Sequence, residues 1–418
     1  MESETSVMNL FLSAIKSPAV IVGALGYFVD IYDLVLFSIV RTKSLLGIGL
    51  TEEQTLESGV LLINFQMAGM LLGGLLWGIL GDKKGRVSVL YGSIFLYSTA
   101  NLLNAFVTNV EQYAALRFLA GIGLAGELGA AITLVSEVLT KEARGYGTTI
   151  VASVGVCGAM LAAVVGERLG WQMAYALGGI LGFCLLIARI KTVDSGMFAK
   201  AKSTVGIRHG DFQMLFSPPA RLVRYLACIA IGVPIWFTIG ILITFAPELS
   251  RAMGLGHLEI TGGHAIFYCY LGLAVGDLSS GLLSQWRKSR IRVTRDFLLL
   301  TGVGIFLYTF LSKAFPSAWV FYGVCGFLGV ATGYWAMLVT ISAEQFGTNL
   351  RATVATTVPN FVRGSVVPLT LSFLYLSKTF GLVTAAVSVG FLTIALALFS
   401  LRFLRETYGV DLDYYETS

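Results

Sequence analysis

Two carboxylates stand in the apolar stretch GYFVDIYDLVLFS, residues 26–38, which holds no other charge. Asp30 and Asp33 are three residues apart, so a helix puts them on neighbouring positions of one side. Two acids that close in a low-dielectric setting resist ionising together. One of them is then poised to carry a proton. The other reading is a static ion pair that ties this helix to another. Arg117 offers a partner, in the apolar run after Glu111. Glu127 follows ten residues later and can line the same cavity or bind a basic turn. Far along the chain, Pro359-Asn360-Phe361-Val362-Arg363-Gly364 sets an arginine in a second apolar run, with Asn360 one turn away. A guanidinium fork suits a carboxylate or phosphate. Arg363 can therefore bind an anionic group on a solute, or pair with Asp277.

Such charges need elements that carry them through oil. Of 418 residues, 56% are hydrophobic and only 13% are charged, against about a quarter charged in soluble proteins. The composition excludes a soluble enzyme and predicts a protein that crosses a membrane many times. A span takes about 20 apolar residues. On that basis helices are expected at 18–40, 58–80, 87–107, 111–137, 146–166, 171–190, 222–246, 261–283, 296–315, 318–342, 354–377 and 380–401. The first run is too long for a signal peptide and is expected to stay as a span.

A rise of about 1.5 Å per residue puts Asp30 and Asp33 about 18 and 22 Å from one end of helix 1. Arg117 lies about 9 Å from the opposite face of the membrane, which matches their depth, and Arg363 about 14 Å inside helix 11. An ionisable side chain at such depth faces a cavity or a partner. Of the aromatics in these runs, Tyr27 and Trp335 are the preferred solute contacts, followed by Trp236 and Tyr334. Asn64, Gln66, Asn101 and Asn104 are less specific contributors.

The sequence GGLLWGILGDKKGR, residues 73–86, ends an apolar run in a cationic turn, expected at Gly81-Asp82. Basic turns stay in the cytoplasm. With both termini cytoplasmic, roughly 20 of the 29 basic residues fall on that side and roughly six outside. The net charge of +5 lies in turns and calls for no nucleic-acid partner. The five cysteines sit in apolar runs without metal spacing, and the three histidines are scattered. No metal and no cofactor are expected.

The chain repeats itself. Gly78-Ile79-Leu80-Gly81-Asp82 can be laid on Gly281-Leu282-Leu283-Ser284-Gln285, each before a basic turn. Glu137 and Arg144 are matched by Glu344 and Arg351 at the same separation. The expected layout is a six-helix half over 1–190, a cytoplasmic linker over 191–221, a second half over 222–402 and a tail over 403–418. The fold class is all-α membrane protein, twelve transmembrane helices in two six-helix halves around a central cavity. Parallel repeats of this kind mark transporters that rock about a central site.

At this point the sequence resembles a family, the major facilitator superfamily, across its whole length. Residues 74–86 resemble its signature between helices 2 and 3. Arg117-Phe118-Leu119-Ala120-Gly121-Ile122-Gly123 with Gly126-Glu127 resembles its fourth-helix signature. Gly170-Trp171-Gln172 resembles its entry to helix 6. The paired acids of helix 1 look most like those of the proton-coupled metabolite and organic-acid symporters. The resemblance implies that Asp30 or Asp33 forms a coupling pair with Arg117. It also implies that Asp82, Arg86, Glu137, Arg144, Glu344 and Arg351 form a cytoplasmic gate. Gln285 and Ser289 depart from the family pattern, so the second-half latch is expected to be weaker or built differently.

These residues predict proton symport of a small anionic or zwitterionic organic solute by a monomer in the inner (plasma) membrane. Two alternatives stay open: proton-antiport export of a hydrophobic compound or siderophore, and a solute receptor that does not transport. The sequence has no phosphate loop and no nucleophile–base–acid set, so no enzyme activity is expected.

Overall fold

The computed structural model describes residues 15–84, 86–127, 141–192, 212–409 and 416. Glu137, most of the expected linker and most of the tail after 409 lie outside the described residues. So do the side chains of Asp82, Arg86 and Arg144.

The described residues form twelve helical spans. In the first half these are α1 (Pro18–Gly47), α2 (Glu52–Lys84), α3 (Arg86–Asn104), α4 (Val110–Leu124), α5 (Lys141–Arg168) and α6 (Trp171–Thr192). In the second they are α7 (Pro219–Phe237), α8 (Gly262–Arg287), α9 (Arg290–Ala314), α10 (Ala318–Thr332, continued by Trp335–Glu344), α11 (Thr348–Gly364, continued by Val366–Phe380) and α12 (Leu382–Ser400). The end of the molecule that holds Pro18 is called the inner end below, and the end that holds Gly47 the outer end.

Nine of the spans are long and apolar enough to cross a membrane on composition alone. The other three fall short for local reasons. On α3 sit Ser93, Ser98, Asn101 and Asn104, all buried. The described part of α4 is 15 residues, and α11 is interrupted at Ser365. Expected boundaries shift at several points. Helix α2 runs on through Gly81 and Asp82 to Lys84, so no turn falls at Gly81-Asp82. Helix α1 starts with Pro18 in its first turn, where a missing N–H leaves no bond unmade. Gly381 joins α11 to α12 at φ 81, a conformation glycine adopts without strain.

Close helix approach builds each half. A Cβ on Gly69 would overlap the Phe118 carbonyl of α4, and one on Gly121 the Gln66 carbonyl of α2. In the second half, Gly272 of α8 and Gly329 of α10 meet the opposing backbones at Gly326 and Cys269 in the same way. Lipid gives two helices little hydrophobic reason to associate, so backbone-to-backbone packing through small residues carries the contact. Glycine positions thus repeat where the α2–α4 pair is matched by α8–α10.

Helices α7 and α10 also break within their spans. Pro234 lies inside α7, whose end unwinds into a π-helical turn, Thr238–Ile243. Such turns gather at functional sites. Helix α10 breaks at Gly333-Tyr334, and Asp277 Oδ1 accepts from the freed Ala336 N–H at 3.1 Å.

Candidate functional site

The breaks in α7 and α10 open onto a cavity between the halves. Tyr27 and Ile31 of α1 and Ala152 and Val156 of α5 line one side. Ile235, Trp236, Ile239, Tyr270, Leu273, Asp277, Trp335 and Arg363 line the other. Its free volume is about 30 Å³, room for one or two waters.

Arg363 is 1% exposed. Its guanidinium lies 5.7 Å from the Trp236 ring and 5.6 Å from the Trp335 ring, and those rings meet edge-on at 6.3 Å. The two indoles hold the fork by cation–π attraction without using its donors. Arg363 Nε and Nη1 have no hydrogen-bond partner. Asp277 also lines the cavity but spends a carboxylate oxygen on Ala336, and no ion pair within 4 Å joins it to Arg363. The arginine fork is therefore aimed at the cavity with donors to spare.

The acids of α1 are fully buried, and neither forms a hydrogen bond. Neither lines the cavity. They face different charges. Arg363 is the strongest opposite charge on Asp30, followed by Arg189. On Asp33 it is Arg117. The direct Asp–Arg pair expected from the sequence is not closed. Arg117 Nη1 donates instead to Asn101 Oδ1 at 3.2 Å, and Asn101 stands beside Asp33. The Arg117 guanidinium also rests near the rings of Phe37 and Tyr175, at 5.5 and 5.6 Å.

Glu127 binds neither the cavity nor a described basic turn. It pairs with Arg189 of α6 at 3.0 Å, with both groups buried. Tyr334 and Asn360 also differ from expectation. The Tyr334 hydroxyl donates to the Ile231 carbonyl at 2.9 Å, because the break in α10 turns this side chain back toward α7. Asn360 donates to the Ala125 carbonyl at 3.2 Å, so it bridges α11 to the end of α4. Tyr270 of α8 also lines the cavity.

At the inner rim, Glu344 pairs with Arg290 at 2.9 Å. Glu406 accepts from Ser289 Oγ at 2.5 Å and from the backbone of Arg290 at 3.0 Å. Ser289, where the family pattern has a basic residue, serves here as the N-cap of α9. Glu344 of the expected gate thus pairs with Arg290 at this rim, beside the bonds that Glu406 makes to Ser289 and Arg290.

An outer pairing escaped the sequence reading. Arg41 Nη2 reaches both oxygens of Glu248 at 2.7 and 2.8 Å. The pair is nearly fully buried, at 1% and 7% exposure. Arg41 also donates to the carbonyls of Thr55 and Thr244, each at 3.3 Å, and packs on Phe245 at 4.6 Å. Both residues stand at the outer ends of apolar runs, where a charge looks like an ordinary rim residue. Together they join the halves above the cavity. Removing one partner of a buried pair costs about 3–5 kcal/mol. Arg41→Ala should therefore open the outer side. A membrane-impermeant maleimide added outside is expected to label Ile239→Cys, in a cysteine-free background, in the Arg41→Ala variant and not beside an intact Arg41. Equal labelling would contradict the role.

The sequence profile of the Major Facilitator Superfamily matches residues 23–366, most of the chain. The chain belongs to this superfamily. The transporter is similar to a gentisate transporter of Corynebacterium glutamicum, 26% identical over 96% of this chain and 91% of the relative. It is similar to a 3-(3-hydroxy-phenyl)propionate transporter of Escherichia coli, 27% identical over 68% of this chain and 69% of the relative. Among solved structures it resembles a D-xylose–proton symporter, with a TM-score of 0.71, 16% identity, and coverage of 96% of this chain and 100% of the other. That likeness gives the fold: twelve helices in two halves around the cavity just described.

Proposed function

We propose that this transporter imports an aromatic or related organic carboxylate together with a proton, by alternating access. The observation that carries the reading is Arg363, held between Trp236 and Trp335 with two nitrogens free of hydrogen bonds. A carboxylate would take those donors as a charge-assisted pair. The aromatic walls formed by Tyr27, Trp236, Tyr270 and Trp335 suit a ring attached to it. Relatives that carry gentisate and 3-(3-hydroxy-phenyl)propionate, by their names, favour the same class.

Asp30 links proton to solute. When ionised it competes for Arg363 and repels a second carboxylate. When protonated it leaves the arginine to the solute. Each ligand then favours the other by the same factor. Asp33 and Arg117 hold a neighbouring charge pair inside the first half. The free volume is too small for a ring, so binding moves the broken segments of α7 and α10. The halves are 1–190 and 222–402, joined by a cytoplasmic linker over 191–221. The transporter works as a monomer in the plasma membrane with both termini, including the tail from 403, in the cytoplasm.

Uptake into proteoliposomes of gentisate, benzoate and xylose, under an inward pH gradient, tests this. An aromatic acid is expected to accumulate and xylose is not. Accumulation of xylose alone, or of none of the acids, would contradict the reading.

A further inference from the structure

Neither acid of α1 is among the residues that line the cavity, so a proton that reaches them can take a path of its own. One face of α6 supplies it. Tyr175, Gly178, Gly182 and Arg189 recur at helical spacing along about 21 Å of the helix. The Tyr175 hydroxyl lies 2.7 Å from that of Tyr113, which donates to Ser44 Oγ at 3.1 Å near the outer end. A Cβ on Gly178 would strike Asp33 Oδ1, and one on Gly182 would strike Ser98 Oγ and the Tyr97 ring. Arg189, three residues before the end of α6 at the inner side, pairs with Glu127.

Three other helices complete the column. From α1 come Asp33, Asp30 and Gly26, and a Cβ on Gly26 would touch Arg189 and Glu127. From α3 come Asn101, Tyr97 and Ser93, which donates to Glu127 at 3.4 Å. From α4 come Arg117 and Gly123, which lies against Tyr97, and just past its end comes Glu127. Tyr32 also faces Asp33, with its hydroxyl donating to the Ala174 carbonyl at 2.9 Å. Many polar atoms here have no partner: both oxygens of Asp30 and of Asp33, the Tyr97 hydroxyl, Ser98 Oγ and Asn101 Nδ2. Buried polar atoms are seldom left so, and a run of them along one line is suited to passing protons. Tyr97 stands one turn along α3 from Ser93, which bonds Glu127, and one turn from Asn101, which stands beside Asp33. Asp33, Asp30, Glu127 and Arg189 all act on the Tyr97 hydroxyl electrostatically.

We infer that the proton leaves the α1 acids through the interior of the first half, by way of Tyr97 to Glu127, and not through the solute cavity. The inference rests on the proton-coupled reading above. In the step, the protonated acid passes its proton to the Tyr97 oxygen as Tyr97 passes its own to the Glu127 carboxylate, each by way of one water drawn into the column, since the Tyr97 hydroxyl has no direct partner. The acid ends ionised, Tyr97 ends neutral with its hydroxyl turned, and Glu127 ends protonated. Its hold on Arg189 then weakens, and the proton passes to water at the inner end of α6. A solute carboxylate can thus stay on Arg363 while the proton moves along a separate line.

Infrared spectroscopy of the purified, full-length transporter tests this without any solute. The carboxyl band of the protonated α1 acids is assigned by its loss in Asp30→Asn and Asp33→Asn, and its shift is timed after rapid transfer from H2O to D2O. Tyr97→Phe keeps the ring that packs against Gly182. It is expected to slow the shift about a hundredfold, the low end of what a positioned proton carrier contributes, with the band position unchanged. A wild-type rate in Tyr97→Phe would overturn the inference. Should that variant not fold, Glu127→Gln, which keeps an acceptor for Arg189, decides the matter by the same two outcomes. Failure of proton symport itself would be seen separately, as wild-type uptake indifferent to a pH gradient.

Discussion

Replacing Arg363 by alanine is expected to weaken aromatic carboxylate binding by about 3 kcal/mol, roughly a hundredfold. The fork is fully buried and its charge is compensated at a distance, so a bound carboxylate gains most of its attraction here. Leaving that carboxylate unpaired in a dry site is the larger part of the loss. Arg363→Lys keeps the charge but loses the planar fork and its fit between the indoles, so it should recover only a part. Equilibrium binding of gentisate to the three proteins checks the order. Equal affinity in all three would remove Arg363 from the site. A loss confined to Arg363→Lys would show that the substitution harms packing against Trp236 and Trp335, and not the charge.

Asp30→Asn is expected to uncouple transport. Asparagine mimics the protonated acid, so Arg363 stays free for solute at every pH. Under one-to-one coupling an inward gradient of about one pH unit concentrates solute about tenfold, since about 1.4 kcal/mol is a factor of ten. The variant should equilibrate solute to the outside level and no further. Exchange of internal for external solute moves no net proton and should continue. Solute accumulation measured in both modes checks this. Tenfold accumulation by Asp30→Asn would place the coupling acid elsewhere.

Much of this architecture could be read from residue types. Lipid tolerates few ways of burying a backbone, so the apolar runs pointed to each of the twelve helices, although three of the described spans fall short of a full apolar span on composition alone. Arg363, Arg117 and the α1 acids were visible because a charge inside an apolar run has no bland explanation. Arg41, Glu248 and Arg189 were hidden by the same logic. Each lies near the end of a span, where a charge ordinarily meets water, and only the fold shows that they are buried against a partner. Tyr334 and Asn360 were assigned to the cavity from their position along a helix. Side-chain direction there depends on the break at Gly333-Tyr334 and on the approach of α11 to α4, and no periodicity carries either. The separation of Asp30 from Asp33 is of the same kind. Neighbours on one helix, they answer to arginines from different halves.

The central claim is that solute and proton cross together. Proteoliposomes loaded with a pH-sensitive dye, in weak buffer and with no initial pH gradient, test it most directly when gentisate, benzoate or 3-(3-hydroxyphenyl)propionate is added outside. Acidification in protein-free vesicles is subtracted to remove passive entry of the free acid. The account predicts a saturable, protein-dependent acidification of the lumen by at least one of these solutes, absent in Arg363→Ala and Asp30→Asn. Solute entry through the wild-type protein with no accompanying acidification would contradict it.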